Sequence, residues 1–109
     1  MCVCVSSTVQ EEQPSFSYEV IIVNDGSKDG TTEEALKFVA KYTTEKVRLL
    51  EFVKNRGKGG AVRMGCLSAR GERILMLDAD GATAIADMKQ LEKAMDKLTK
   101  DHVRTCIYV

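Results

Sequence analysis

The stretch that most constrains this chain is 73–83, RILMLDADGAT. Ile74 to Leu77 form an apolar run of strand length, suited to burial on both faces, and it ends abruptly in two carboxylates, Asp78 and Asp80. In open α/β sheets the ligand crevice lies just beyond the carboxyl ends of the strands, so both acids are expected at its mouth. Alternate residues of an extended segment point the same way, which lets both carboxylates face one hard cation such as Mg²⁺ or Mn²⁺. That cation would in turn hold a diphosphate. Like charges at a strand end repel unless something neutralises them, which favours a binding role for the pair over a simple turn.

The rest of the chain supplies the elements such a site needs. Residues 1–17, with QEEQPS among them, show no sustained period and read as an irregular leader to a domain over 18–109. Tyr18 to Asn24, YEVIIVN, is a β-branched run and a central strand. It ends in DGSKDGTTEE, where Thr31 and Glu34 have the spacing of a capping box. The helix expected from Thr32 to about Thr43 presents Leu36, Val39 and Ala40 on one face, with Glu33 and Lys37 as an i,i+4 pair. A second strand is expected at Lys46 to Val53, followed by the glycine-rich loop KNRGKGG and a helix from about Gly60 to Ala69. Ala61, Gly65, Ser68 and Ala69 keep that helix slim enough to sit close to a sheet. Beyond the acidic loop, Met88, Leu91, Met95 and Leu98 mark a helix over 87–100, and Val103 to Val109 a fourth strand. Strands alternating with short helices imply βαβ units: a three-layer α/β fold with a mainly parallel sheet of three to four strands and three helices. Nothing regular precedes the first strand, so one sheet edge is expected bare and the chain reads as incomplete.

Composition narrows the function. With 109 residues there is room for one domain and a modest core. Sixteen basic and sixteen acidic residues cancel, so the chain lacks the charge of a nucleic-acid binder, although Lys54, Arg56, Lys58 and Arg63 form a local cluster able to meet phosphate. No apolar run approaches the ~18 residues needed to cross a bilayer, and no signal peptide opens the chain. Cys2, Cys4, Cys66 and Cys106, with His102 the sole histidine, offer no zinc spacing and read as reduced, packed thiols in a cytosolic setting.

Three loops follow the carboxyl ends of strands: DGSKDG from Asp25, NRGKGG from Asn55 and DADGAT from Asp78. In a parallel sheet they converge. Two acidic loops and one basic loop suit a nucleotide diphosphate held by a metal on one side and by cations or backbone amides on the other. Spacing disposes of several rivals. Asp25, Ser27, Asp29 and Gly30 match EF-hand positions, but Leu36 stands where the bidentate Glu belongs. Walker A and dinucleotide-binding glycine patterns are both absent. A haloacid-dehalogenase-type phosphatase, with Asp78 as nucleophile and Asp80 as general acid, remains a remote alternative, because its motif normally ends the first strand of the domain.

VNDGSKDGT, KNRGKGGAVRMG and ILMLDADGAT, in this order and spacing, resemble the inverting glycosyltransferases of family 2, which have the GT-A fold. The resemblance covers Tyr18 to about Met95, and the wording NRGKGGAVRMG followed by DADGAT resembles members that move glucose from UDP-glucose to dolichyl phosphate for protein N-glycosylation. It implies a partial GT-A, Rossmann-like domain with a UDP-glucose site. Asp25 then matches the aspartate that hydrogen-bonds uracil, and Asn24 stands where the family usually carries another aspartate. Asp78 matches the first DxD carboxylate, near ribose and metal; Asp80 matches the second, a direct ligand of Mg²⁺ or Mn²⁺. Arg56 and Lys58 fall in the loop lying against the nucleotide. The acceptor phosphate, already an anion near pH 7, needs little help from a general base.

The same resemblance implies an upstream strand ending in a PxYNE-like segment, a membrane anchor and an acceptor half, none of which these residues match. The dolichyl phosphate site is therefore expected outside this sequence, and the chain is expected to bind nucleotide weakly and not to catalyse transfer alone. For the full-length family, location at the cytosolic face of the endoplasmic reticulum membrane is implied; this chain by itself would be cytosolic. Alternatives are another family 2 enzyme, such as a polyprenyl-phosphate mannosyltransferase, or a non-catalytic fragment.

Overall fold

Val20 to Val23, the β-branched run that marks a strand in the sequence, lies one strand in from the sheet edge in the computed structural model, which describes residues 2–8, 17–78, 90–91, 93–94, 97 and 105–108. Among these residues the elements are β1 (Cys2–Thr8), β2 (Ser17–Asn24), α1 (Thr31–Lys46), β3 (Val47–Glu51), α2 (Gly57–Ser68), β4 (Arg73–Asp78) and β5 (Thr105–Tyr108). The sheet runs β3-β2-β1-β4-β5. β2 pairs in parallel with β3, and β4 with β5, while β1 is antiparallel to both β2 and β4. The β2–α1–β3 crossover steps one way across the sheet and β3–α2–β4 steps back, a path that right-handed connections place on opposite faces.

The irregular leader expected over 1–17 gives way to a strand. Cys2–Thr8 form β1 at the centre of a five-stranded sheet, one strand more than the sequence suggested. Each flanking strand would otherwise present a row of unpaired amides and carbonyls; β1 meets both rows, Cys2 facing Val23 on one side and Asp78 on the other. The edge expected to be bare is thus an interior position. CVCV is too short an apolar run to announce a strand beside the polar residues that follow it.

Helix α1 also departs from expectation. The capping box does not form: Asp29 Oδ1 accepts the Thr31 amide at 3.1 Å, and Glu34 instead holds Lys37 Nζ at 2.8 Å, an i,i+3 pair in place of Glu33–Lys37. The inward face is Ala35 with Val39, whereas Leu36 is half exposed and Ala40 exposed. Thr32 decides that rotation, because its hydroxyl bonds Asn24 and Glu51 and so turns Ala35, one turn on, toward β3 and β2. Thr43 sits at φ 67°, ψ 159°, a kink that precedes the last turn.

Helix α2 begins at Gly57, three residues earlier than expected, since Asn55 Oδ1 takes the Gly57 amide at 2.8 Å and starts the helix inside the loop. Its small residues do lie inward. Ala61 and Gly65 are buried, and Ala61 and Ala69 join Ile21, Val23, Phe52, Ile74 and Met76 in one apolar cluster. Fully burying a side chain such as Ile21, Val23 or Met76 contributes about 1.5–3 kcal/mol each. At the opposite end of β2, buried Glu19 accepts from Arg48 at 2.9 Å, Arg70 Nε at 2.8 Å and the Arg70 amide at 2.6 Å. Arg48 also reaches Ser68 O and Arg70 reaches Glu45 O, so this one carboxylate ties the ends of both helices to the sheet.

The expected helix over 87–100 falls mostly outside the described residues, although Gln90, Leu91, Lys93, Ala94 and Lys97 are helical. Among the described residues, no helix is long and apolar enough to cross a membrane.

Candidate functional site

β2, β3 and β4 share one direction, so Asn24, Glu51 and Asp78, their last residues, stand at a common sheet edge. Behind that edge is a buried hub. Asn24 is wholly buried; its Nδ2 donates to Thr32 Oγ1 at 2.9 Å and to Glu51 Oε1 at 3.3 Å, while its Oδ1 accepts the Ser27 amide at 3.1 Å. The Asn24 carbonyl accepts the Phe52 amide at 2.9 Å, which carries the pairing one step beyond the strand end. These bonds hold the DGSK turn against α1 and β3. Gly26, at φ 76°, completes the turn, where an added Cβ would lie 3.4 Å from the Asn55 amide nitrogen and 3.5 Å from the Phe52 carbonyl oxygen.

From that base the loops are linked in sequence. Asp25 Oδ1 accepts the Arg56 amide at 2.7 Å, joining the first acidic loop to the basic one. Lys58 Nζ, in the first turn of α2, meets Asp78 Oδ2 at 2.6 Å, joining the basic loop to the end of β4. The Arg56 guanidinium lies over the Phe52 ring, 5.4 Å from its centroid, beside an open hollow of about 340 Å³ lined by Glu51, Phe52, Val53, Lys54 and Arg56. Among the candidate residues, the structure therefore brings Asp25, Arg56, Lys58 and Asp78 to one edge; Asp80 lies outside the described residues. Asp29, next to this edge, has its carboxyl held below the usual carboxylate range by the hydroxyl and amide of Thr31.

Glu51 and Asn55 were not singled out from sequence, and Asn24 was noted there only for the aspartate it replaces. Asn24 acts as the hub, Asn55 starts α2, and Glu51 receives the amide of Asn24. Of Glu51 and Asn55, only Asn55 carried a signal, an Asn two residues before the first helical turn.

Chemically, the edge sets carboxylates beside cations and the amino end of a helix. Asp78 is a hard oxygen donor that already has an ammonium against it, so its surroundings accept positive charge, as a divalent ion requires. Among the described residues, no three acidic, histidine or cysteine side chains cluster to hold a metal unaided.

Residues 3–109 match the family described as glycosyl transferase family 2. The chain belongs to that family. This family 2 chain is 57% identical over 89 residues to the dolichyl-phosphate beta-glucosyltransferase of Homo sapiens, covering 82% of the chain and 28% of the relative. It is 56% identical over 88 residues to the enzyme so named from Drosophila melanogaster, covering 81% and 27%, and 43% identical over 91 residues to that of Saccharomyces cerevisiae, also covering 81% and 27%. The family 2 chain thus spans little more than a quarter of the length of these relatives. No solved structure matches it significantly. Family membership and the α/β sheet agree with the partial GT-A, Rossmann-like fold expected from the three motifs.

Proposed function

We propose that this chain carries the donor-binding part of an inverting transferase that moves glucose from UDP-glucose to dolichyl phosphate, at the cytosolic face of the endoplasmic reticulum membrane in the whole enzyme. The observation that carries the reading is the pair of links, Asp25 to the Arg56 amide and Lys58 to Asp78, which draw the loops after β2 and β3 and the end of β4 into one edge of mixed charge. The relatives, named dolichyl-phosphate beta-glucosyltransferases, suggest the sugar transferred and the acceptor.

In this reading Asp25 is held rigid by the Arg56 amide and presents its carboxylate to the uracil ring. Arg56 and Lys58 lie along the nucleotide, and the amino end of α2 adds its amides and dipole to the diphosphate side. Asp78 and Asp80 are the residues that would hold Mg²⁺ or Mn²⁺, which would supply positive charge against that growing on the departing UDP. The edge keeps the diphosphate fixed and its charge compensated while the acceptor phosphate attacks the anomeric carbon from the opposite face, which inverts the centre. The described residues supply donor-side groups only.

Donor competition tests the proposal. The purified chain with Mg²⁺ should bind UDP-glucose, and equal concentrations of GDP-mannose should leave that binding unchanged in calorimetry. Displacement by GDP-mannose as readily as by unlabelled UDP-glucose would overturn the donor assignment in favour of a mannosyltransferase.

A further inference from the structure

The geometry points to Lys58 as an exchangeable counter-ion: its ammonium occupies the Asp78 carboxylate before the divalent cation arrives, then passes to the donor diphosphate. This deepens the proposed donor site and rests on it, since it takes Asp78 as a metal-binding carboxylate.

Three observations carry it. Lys58 Nζ lies 2.6 Å from Asp78 Oδ2, a direct ion-pair contact. The two groups come from different elements, the first turn of α2 and the last residue of β4, so the contact is made across the edge where ligand is expected. Finally, the Lys58 side chain remains 56% exposed, against 33% for Asp78, so it has solvent to move into and a flexible four-carbon stem on which to move. Arg56, in contrast, is fixed at its amide by Asp25 and stacked on Phe52, leaving Lys58 as the cation of the loop that faces Asp78.

A carboxylate oxygen cannot give its full charge both to an ammonium and to a divalent ion. Metal binding therefore competes with Lys58, and Lys58 once displaced lies beside the phosphates that the metal brings. Lys58 thus weakens binding of metal alone and strengthens binding of metal with diphosphate, which couples loading of the two. An exposed ion pair is modest, so removing the competitor should tighten metal binding only about 2- to 5-fold.

The test counts free Mn²⁺ by electron paramagnetic resonance in titrations of the 109-residue chain, without and with UDP. Lys58→Met should tighten Mn²⁺ binding about 2- to 5-fold without UDP, yet weaken UDP binding at saturating Mn²⁺ about tenfold or more. Lys58→Arg, which keeps the charge, should stay near the parent in both. These opposed changes cannot come from a damaged fold, which would weaken both. Unchanged or weaker Mn²⁺ binding in Lys58→Met, with Asp78→Asn abolishing it, would overturn the exchange while sparing the donor site. Equal Mn²⁺ affinity in Asp78→Asn and parent would overturn both. Should Lys58→Met lose its amide dispersion, the ε-methylene resonance of Lys58 in the parent decides: Mg²⁺ alone should shift it, and a static signal refutes the exchange.

Discussion

Replacing the buried amide of Asn24 by a carboxylate, Asn24→Asp, should cost this fold a large part of its stability. The Asn24 Nδ2 donates to Glu51 Oε1 at 3.3 Å, so the substitution exchanges an attraction for a pair of like charges at the same spacing. At an effective dielectric constant of ~20, two unit charges 3.3 Å apart repel by about 5 kcal/mol. Glu51 is exposed and relieves part of this by swinging out, at the cost of its contact with Thr32. The Thr32 hydroxyl and the Ser27 amide still find acceptors, so the net loss should be about 2–4 kcal/mol, against a total of roughly 5–15 kcal/mol for a typical domain. Urea unfolding at pH 7 measures it. Glu51→Gln in the same chain should restore most of the loss, and a double-mutant cycle isolates the coupling. Asn24→Asp as stable as the parent at pH 7, or a deficit that Glu51→Gln leaves unchanged, refutes the reasoning.

Other perturbations follow from single observations. Thr43→Gly should stabilise the chain by about 1 kcal/mol in urea unfolding, because a β-branched residue at φ 67° is strained and glycine is not. Glu19→Gln should destabilise by about 2 kcal/mol, since it breaks two ion pairs at a buried carboxylate whose arginine partners are partly solvated. Asp29 should titrate below 3.8 by carboxyl-carbon NMR; with its folded pKa depressed, its stabilising effect is present above the unfolded pKa and disappears as acid carries pH through the folded one, and Asp29→Asn should flatten that acid-side loss.

Strands β2 and β4 were legible because each is a dense apolar run closed by an acid or amide, and α2 because its small residues can only serve close packing. β1 was not. Its partners lie up to 76 positions away in the chain, Cys2 facing Asp78, and a short CVCV run gains meaning only once those two rows of backbone groups exist. The face of α1 was misjudged by one residue, since Leu36 outranks Ala35 on hydrophobicity, while the rotation is set by Thr32 reaching Asn24 and Glu51. At the site, the residue types and the common edge could be read from motif order. The Lys58–Asp78 link and the Asn24 hub could not, because both depend on distances between elements that no local pattern encodes.

The central claim, that these loops form one metal-dependent donor site, is tested most directly by amide-correlation NMR of the isotope-labelled chain with Mg²⁺ and UDP-glucose. The account predicts shifts at Asp25, Arg56, Lys58 and Asp78 together, dependent on Mg²⁺ and lost in Asp80→Ala. A well-dispersed spectrum that stays unmoved, or that shifts only at residues away from this edge, would contradict it.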